Sequence, residues 1–404
     1  MKLNYFSPLN FKVLIIVAIH ILFVSTSFSN LDEDIVIKPI TYEKNYLSIT
    51  IQSSILDEPR ELLVHLPTDY NESHKKYPLL LLLDGNRHLP HALLAEQILQ
   101  QESLIPQSVI VAIPNKPGTR NRDLRIEKKK FIKFIEREVI SYVEKNYRVS
   151  KQKSIFGHSM AGYFVLYMLA NNQELFDNYI AASPVIQVNE SELTSLFNKL
   201  SKVYLLKKKS LFITLTDQRA EGVEATKALN QFVTILKNKT FENLNWKYQF
   251  IPNQVHMTTP YLTLYQGLTY IFDDYRMPTF AGFDEYNKRG GMQGLQHYYV
   301  QRANKYQTST QVPERAVRRL GYAILDDKHY DEAIQIFKNN SNKNPQSAGA
   351  LNALAEAYEE SQYINKALET YKSAHKLSVQ ESLGSVHFFA RQIKRLESII
   401  NELK

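Results

Sequence analysis

Between about residues 45 and 275, short apolar runs alternate with longer stretches in which apolar positions recur every three to four residues. Residues 79–83 are five consecutive leucines, the pattern of a strand buried on both faces. Similar short runs occupy 62–66 (closed by Pro67), 109–113, 154–156, 179–182, 211–215 and 248–251. Residues 127–146 instead place Phe131, Phe134, Ile135, Val139, Ile140 and Val143 on one stripe, which predicts an amphipathic helix. Strand–helix alternation of this kind predicts an α/β domain over residues 30–276 built on a mostly parallel sheet. Reactive groups in such sheets collect at the carboxyl ends of the strands.

After residue 313 the strand pattern stops. Leu320, Gly321, Ala333 and Phe337 recur 34 residues later as Leu354, Ala355, Ala367 and Tyr371, and Pro345 stands at the handover. That period, with small residues where two helices would cross, resembles tetratricopeptide repeats. Residues 314–404 are therefore expected to form two such α-helical hairpins, closed by an amphipathic helix over about 383–403. Residues 277–313 carry Gly290-Gly291 and then a helical pattern over 295–303, and are read as a linker helix region.

The chain has 404 residues, enough for two units, and its 44% hydrophobic content can fill a sizeable core. It has no cysteine, which excludes a disulfide framework, a thiol nucleophile and cysteine-ligated metal. The formal charge is +8, but basic residues are dispersed and the one tight cluster, Lys128-Lys129-Lys130, fits a solvated helix face. No nucleic-acid-binding motif is present. Lys2 and Lys12 precede an apolar run over 13–24 and the small polar residues 25–29. This order predicts a signal peptide over residues 1–29 and an exported, periplasmic or secreted protein without stable membrane insertion.

The chemistry centres on Gly157-His158-Ser159-Met160-Ala161-Gly162, set between a strand and a helix. An acyl-transfer nucleophile must stand clear of the sheet on a sharp turn, which demands small residues on either side. Ser159 is the expected nucleophile, with Ala161 in place of the usual second glycine. Five histidines follow it: His256, His297, His329, His375 and His387. Only His256 falls in a loop directly after a strand and before a helix, so it is the expected base. The acid should follow the run 211–215, where Asp217 and Glu221 are both candidates and Glu224 a distant third. Two backbone N–H groups should hold the oxyanion: that of Met160, and that of Asn86 in the loop Asp84-Gly85-Asn86 after the run 79–83. Arg120 and Arg122 lie in a loop at a strand end, where they either face an anionic substrate or pair with Asp123 to fix the loop. His88 and His91 form an H-x-x-H pattern with no third ligand in view, so no metal is expected.

As a set, 77–85, Ile113-Pro114-Asn115, 120–124, 157–162, Ala182-Ser183-Pro184 and His256 followed by Gly267-Leu268 resemble a family of α/β-hydrolases. That family includes esterase D, feruloyl esterases, siderophore esterases and mycolyltransferases. The pattern is nearest to exported siderophore-esterase-like members with tetratricopeptide tails, over roughly residues 45–380. The resemblance implies the α/β-hydrolase fold and a Ser–acid–His esterase without cofactor, its nucleophile at Ser159 and its base at His256. The expected function is hydrolysis of a small-molecule ester through an acyl-enzyme, on siderophore-type or other acyl esters. The helical repeats would offer a surface for a protein partner. The alternatives are acyl transfer by the same fold, or a non-catalytic hydrolase-like module that binds through its repeats.

Overall fold

A computed structural model of the chain describes residues 45–201 and 207–402. The expected leader, residues 1–29, lies outside them. Among the described residues no helix is long and apolar enough to cross a membrane.

Eight strands form one sheet: β1 (Leu47–Ser53), β2 (Glu58–His65), β3 (Tyr77–Leu82), β4 (Val109–Ala112), β5 (Val149–His158), β6 (Asn178–Ala182), β7 (Lys209–Leu215) and β8 (Leu244–Phe250). Their spatial order is β1-β2-β4-β3-β5-β6-β7-β8. β1–β2 and β2–β4 pair antiparallel and every other pair is parallel. The predicted class is therefore the observed one: a mostly parallel α/β sheet with an α-helical C-terminal region. The sequence pattern passes over β1, because its apolar residues Leu47, Ile49 and Ile51 lie on an edge and remain at least partly exposed.

The leucine run explains the layers. Successive side chains in a strand point to opposite faces. Leu79 and Leu81 enter a core with Val111, Ile155, Leu211 and the stripe Phe131, Phe134, Val139 and Val143. Leu80 and Leu82 enter the core on the other face, with Phe156, Ile180, Phe212 and the helices Gly85–Gln101 and Thr259–Ile271. Both faces are covered, so the central strands carry no polar alternation. The chain moves from β3 outward to β4 and then returns past β3 to β5. The loops after β3 and β5 consequently diverge, and a crevice opens between their carboxyl ends.

The C-terminal region consists of helices Glu314–Asp326, Tyr330–Lys343, Ala348–Glu360, Ile364–Gln380 and Val386–Glu402. Leu320, Ala333, Phe337 and Leu354 are buried in one core, and Ala355, Ala367 and Tyr371 in the next. Gly321 lies directly against the Phe337 ring. Helix Gly291–Tyr306 bridges the two regions. Leu295 and Tyr299 join the core of the helical region, and Tyr306 joins the core under the sheet.

Candidate active site

Ser159 terminates β5 and precedes helix Met160–Asn171. Its backbone has φ 61° and ψ −117°, a conformation that costs a non-glycine residue about 1–3 kcal/mol. The turn is held by Ser159 N–H donating to Ala182 O at 2.9 Å and by Val185 N–H donating to Ser159 O at 3.2 Å. A Cβ at position 157 would stand 2.3 Å from Ala161 O, so only glycine fits there. At Gly162 a Cβ would stand 3.0 Å from Ala182 O and 3.1 Å from Pro184 Cα. The close approach of the helix to the end of β6 thus falls at position 162, while the Ala161 methyl is buried without conflict.

His256 comes from the loop after β8. Its Nδ1 lies 2.6 Å from Glu221 Oε2. A carboxylate only accepts, so Nδ1 carries the proton and Nε2 is left with its lone pair. The other Glu221 oxygen accepts from Ser183 Oγ at 2.6 Å. The Glu221 side chain is 2% exposed, whereas that of His256 is 28% exposed and can reach solvent. Asp217, the other acid weighed from the sequence, does something different: its Oδ2 accepts from Asn253 N–H at 2.7 Å. Thr216 Oγ1 donates to Ile251 O at 2.7 Å and to Gln254 O at 3.1 Å. Asp217 and Thr216 therefore shape the loop that delivers His256, and Glu221 meets the imidazole.

Ser159, His256, Asn86, Arg87, Arg120 and Met257 line one cavity of about 430 Å³ at the carboxyl ends of β3 and β5. Asn86 and Met160 each stand in the first turn of a helix, where backbone N–H groups have no intrahelical carbonyl. His297, His329, His375 and His387 lie in the helical segments beyond residue 290 and none lines this cavity.

The structure separates the two arginines, for which the sequence left open a substrate contact or an internal pair with Asp123. Arg122 donates to both Glu58 and Asp123, away from the cavity lining. It belongs to a buried network in which Arg60 Nη1 also donates to Asp123 Oδ2 at 2.6 Å. The Arg122 hydrogen bond, with Lys116 alongside, draws the Glu58 pKa down to about 2 despite burial. Arg120 does reach the cavity, but its Nε and Nη2 clasp the two Asp84 oxygens at 2.7 and 2.8 Å. Burial pushes the Asp84 carboxyl up, and the Arg120 pair with Asn115 more than offsets it, so its pKa ends below the usual carboxylate range. A bidentate clasp of this kind fixes the Asp84-Gly85-Asn86 turn. The physical reason is local: each guanidinium has a carboxylate within reach inside the protein.

Four residues that the sequence reading did not single out for catalysis surround the site. Ser183, at φ 38° after β6, holds the acid. His158 precedes the nucleophile, and its Nε2 lies 2.9 Å from the backbone O of His256. A carbonyl only accepts, so His158 Nε2–H donates. Its ring also lies 4.6 Å from the His256 ring and 5.7 Å from His88. His88 in turn meets His91 through a 2.9 Å hydrogen bond. The H-x-x-H pair thus continues a column of imidazoles that runs from His256 through His158 to His88 and His91, and no cluster able to hold a metal occurs among the described residues. Because the His158 bond fixes the loop rather than the chemistry, His158→Leu should lower kcat about tenfold with little change in KM. His158→Gln, which keeps a donor, should recover part of that loss. Equal kcat in wild type and His158→Leu would remove this role.

Burial pushes the His88 pKa down to about 3 and those of His91 and His158 to about 4. Below pH 6.5 the unfolded chain takes up protons that the folded chain refuses, so these groups make stability fall as pH drops toward 4. Burial acts oppositely on Glu96, raised to about 7, which favours the folded state as pH falls. Three histidines outweigh one glutamate, and urea midpoints should decrease from pH 7 to pH 5. A flat or rising midpoint would contradict this balance.

The family model described as "Putative esterase" matches residues 53–259, which include the Ser159, Glu221 and His256 positions. The chain belongs to this family. A ferri-bacillibactin esterase, BesA of Bacillus subtilis (strain 168), is 28% identical over 138 residues. That stretch is 34% of this chain and spans 44% of the relative's length. Among solved structures, an IroE-like serine hydrolase from Shewanella oneidensis aligns with TM-score 0.57 at 21% identity, over 74% of this chain and 99% of the other. An uncharacterised protein from Capnocytophaga ochracea aligns with TM-score 0.58 at 18% identity, over 87% of this chain and 99% of the other. At such identities the structural likeness shows the shared fold.

Proposed function

We propose that this family member is an exported serine carboxylesterase that works through an acyl-enzyme. The observation that carries the proposal is the 2.6 Å contact between His256 Nδ1 and Glu221, with His256 and Ser159 lining the same cavity. In this scheme His256 Nε2 takes the Ser159 proton as Oγ attacks the ester carbonyl. The resulting oxyanion is held by the Met160 and Asn86 N–H groups, and the imidazolium is stabilised by Glu221. The proton then passes to the departing alcohol. Water, deprotonated by the same imidazole, attacks the acyl-enzyme and releases the acid. Residues 314–402 are read as two tetratricopeptide-like hairpins with a closing helix, available to a protein partner.

The test is covalent. A fluorophosphonate probe should label the protein once, on the peptide containing Ser159, and His256→Ala should slow labelling strongly. No labelling, or labelling elsewhere, would sink the serine mechanism. Because one relative is a ferri-bacillibactin esterase, a ferric siderophore lactone belongs in the first substrate panel beside aryl and alkyl esters.

A further inference from the structure

Exposed large apolar side chains are scattered singly over most protein surfaces. Here they are not evenly spread. Among the described residues, half of the exposed large apolar side chains, Leu94, Ile98, Val255, Met257, Tyr261, Leu262 and Tyr265, belong to helix Gly85–Gln101 or to residues 255–265.

The two helices concerned pack side by side over one face of the sheet. Each starts at the carboxyl edge of the sheet, so both run away from the catalytic cavity. On the first, Arg87, His91, Leu94 and Ile98 are spaced four, three and four residues apart, which puts them on one narrow stripe. On the second, Tyr261 and Tyr265 are one turn apart. The His91 and Tyr261 rings meet at 4.5 Å, so the two stripes face each other across a shared seam. At its upper end the seam joins the cavity: Arg87 and Met257 line that cavity, and Arg87 Nη1 lies 3.5 Å from Met257 Sδ. Leu94 is 58% and Ile98 43% exposed, and they follow Arg87 along its stripe as Tyr261 and Tyr265 follow Met257 along the second segment.

We propose that the seam between these two helices is an acyl subsite, and that the enzyme acts on esters of extended apolar carboxylic acids. This rests on the serine-esterase reading and names the acyl side of its substrate. Continuity with the catalytic cavity argues for this occupant: the seam begins at Met257 and Arg87, which already line that cavity, and needs no second site. Leu94 stands seven residues beyond Arg87, about 10 Å along the axis, and Ile98 about 16 Å. Measured from Arg87, an acetyl group would reach neither, a chain of about eight to ten carbons comes alongside Leu94, and only a longer chain extends to Ile98.

The experiment is a series of p-nitrophenyl esters, from acetate through butyrate and octanoate to decanoate, each below its own aggregation concentration. The wild type and the double variant Leu94→Gln/Ile98→Gln are compared; both positions are exposed, so folding should survive. In the wild type kcat/KM should rise at least tenfold from acetate to octanoate, mainly through KM, as methylenes leave water. The double variant should keep its acetate rate and lose about five- to tenfold on octanoate. A flat or falling series in the wild type, or a double variant equal to wild type on octanoate, overturns the subsite. So does a concentration-dependent dimer, or binding to phosphatidylcholine vesicles, that the double variant abolishes while the ester series stays flat. Failure of the underlying mechanism would look different: acetate turnover absent in the wild type, or retained in Ser159→Ala.

Discussion

Ser159→Ala should reduce the turnover of small aryl esters by about 10⁵–10⁶-fold while the protein remains folded. Removing the nucleophile of a serine–histidine–acid set costs about as much as removing the whole set, since the members act as a unit. What survives is rate enhancement from the oxyanion donors and substrate positioning, typically about 10³–10⁴ over water. Alanine suits the site structurally. Ser159 already holds φ 61° in the folded protein, and alanine adds no atoms at a turn fixed by the backbone bonds to Ala182 and Val185. The circular dichroism spectrum and the urea midpoint should therefore match the wild type. The measurement is kcat/KM on p-nitrophenyl acetate, with stability measured on the same preparation. A folded variant that retains more than about 1% of the activity would take Ser159 out of the mechanism.

Glu221→Gln should cost about 10³–10⁴-fold in kcat, while Asp217→Asn should cost tenfold or less. The first figure follows from the tautomer. With the carboxylate present, the neutral His256 imidazole carries its proton on Nδ1, and Nε2 is available for the base role proposed for it. A glutamine amide can donate to Nδ1, which moves the imidazole proton to Nε2 and blocks the base. It also gives no charge to stabilise the imidazolium. Asp217 makes a single hydrogen bond to Asn253 N–H, and asparagine can still accept it through its own oxygen. KM should stay nearly constant in both variants, because neither carboxylate lines the cavity. The opposite ranking, with Asp217→Asn the more damaging, would show that the acid approaches His256 from the other side in the working enzyme.

The arginines mark where sequence reading stopped. A loop carrying Arg120, Arg122 and Asp123 at a strand end offers no way to tell a substrate contact from an internal pair. The decision rests on Asp84 and Glu58, which lie 36 and 64 residues away in the chain and come within hydrogen-bond distance only through the sheet order. His158 was invisible as a support for the same reason: its partner is a backbone carbonyl 98 residues downstream. Edge strand β1 escaped because Leu47, Ile49 and Ile51 alternate with polar residues and so form no continuous apolar run.

What the amino-acid order determined by itself was everything set by local periodicity and local sterics. The leucine run 79–83 and its counterparts dictated a buried parallel sheet, the 34-residue spacing dictated paired helices, and Gly157 through Gly162 dictated a bend that lifts a hydroxyl clear of the backbone. The tertiary structure alone brought Glu221 rather than Asp217 to His256, clasped Arg120 to Asp84 at the cavity and Arg122 to Glu58 and Asp123 away from it, and laid two helix stripes side by side next to the cavity. Hydrogen bonds and charge pairs act over about 3 Å, and no spacing along the chain reports which distant groups the packing of the sheet will bring that close.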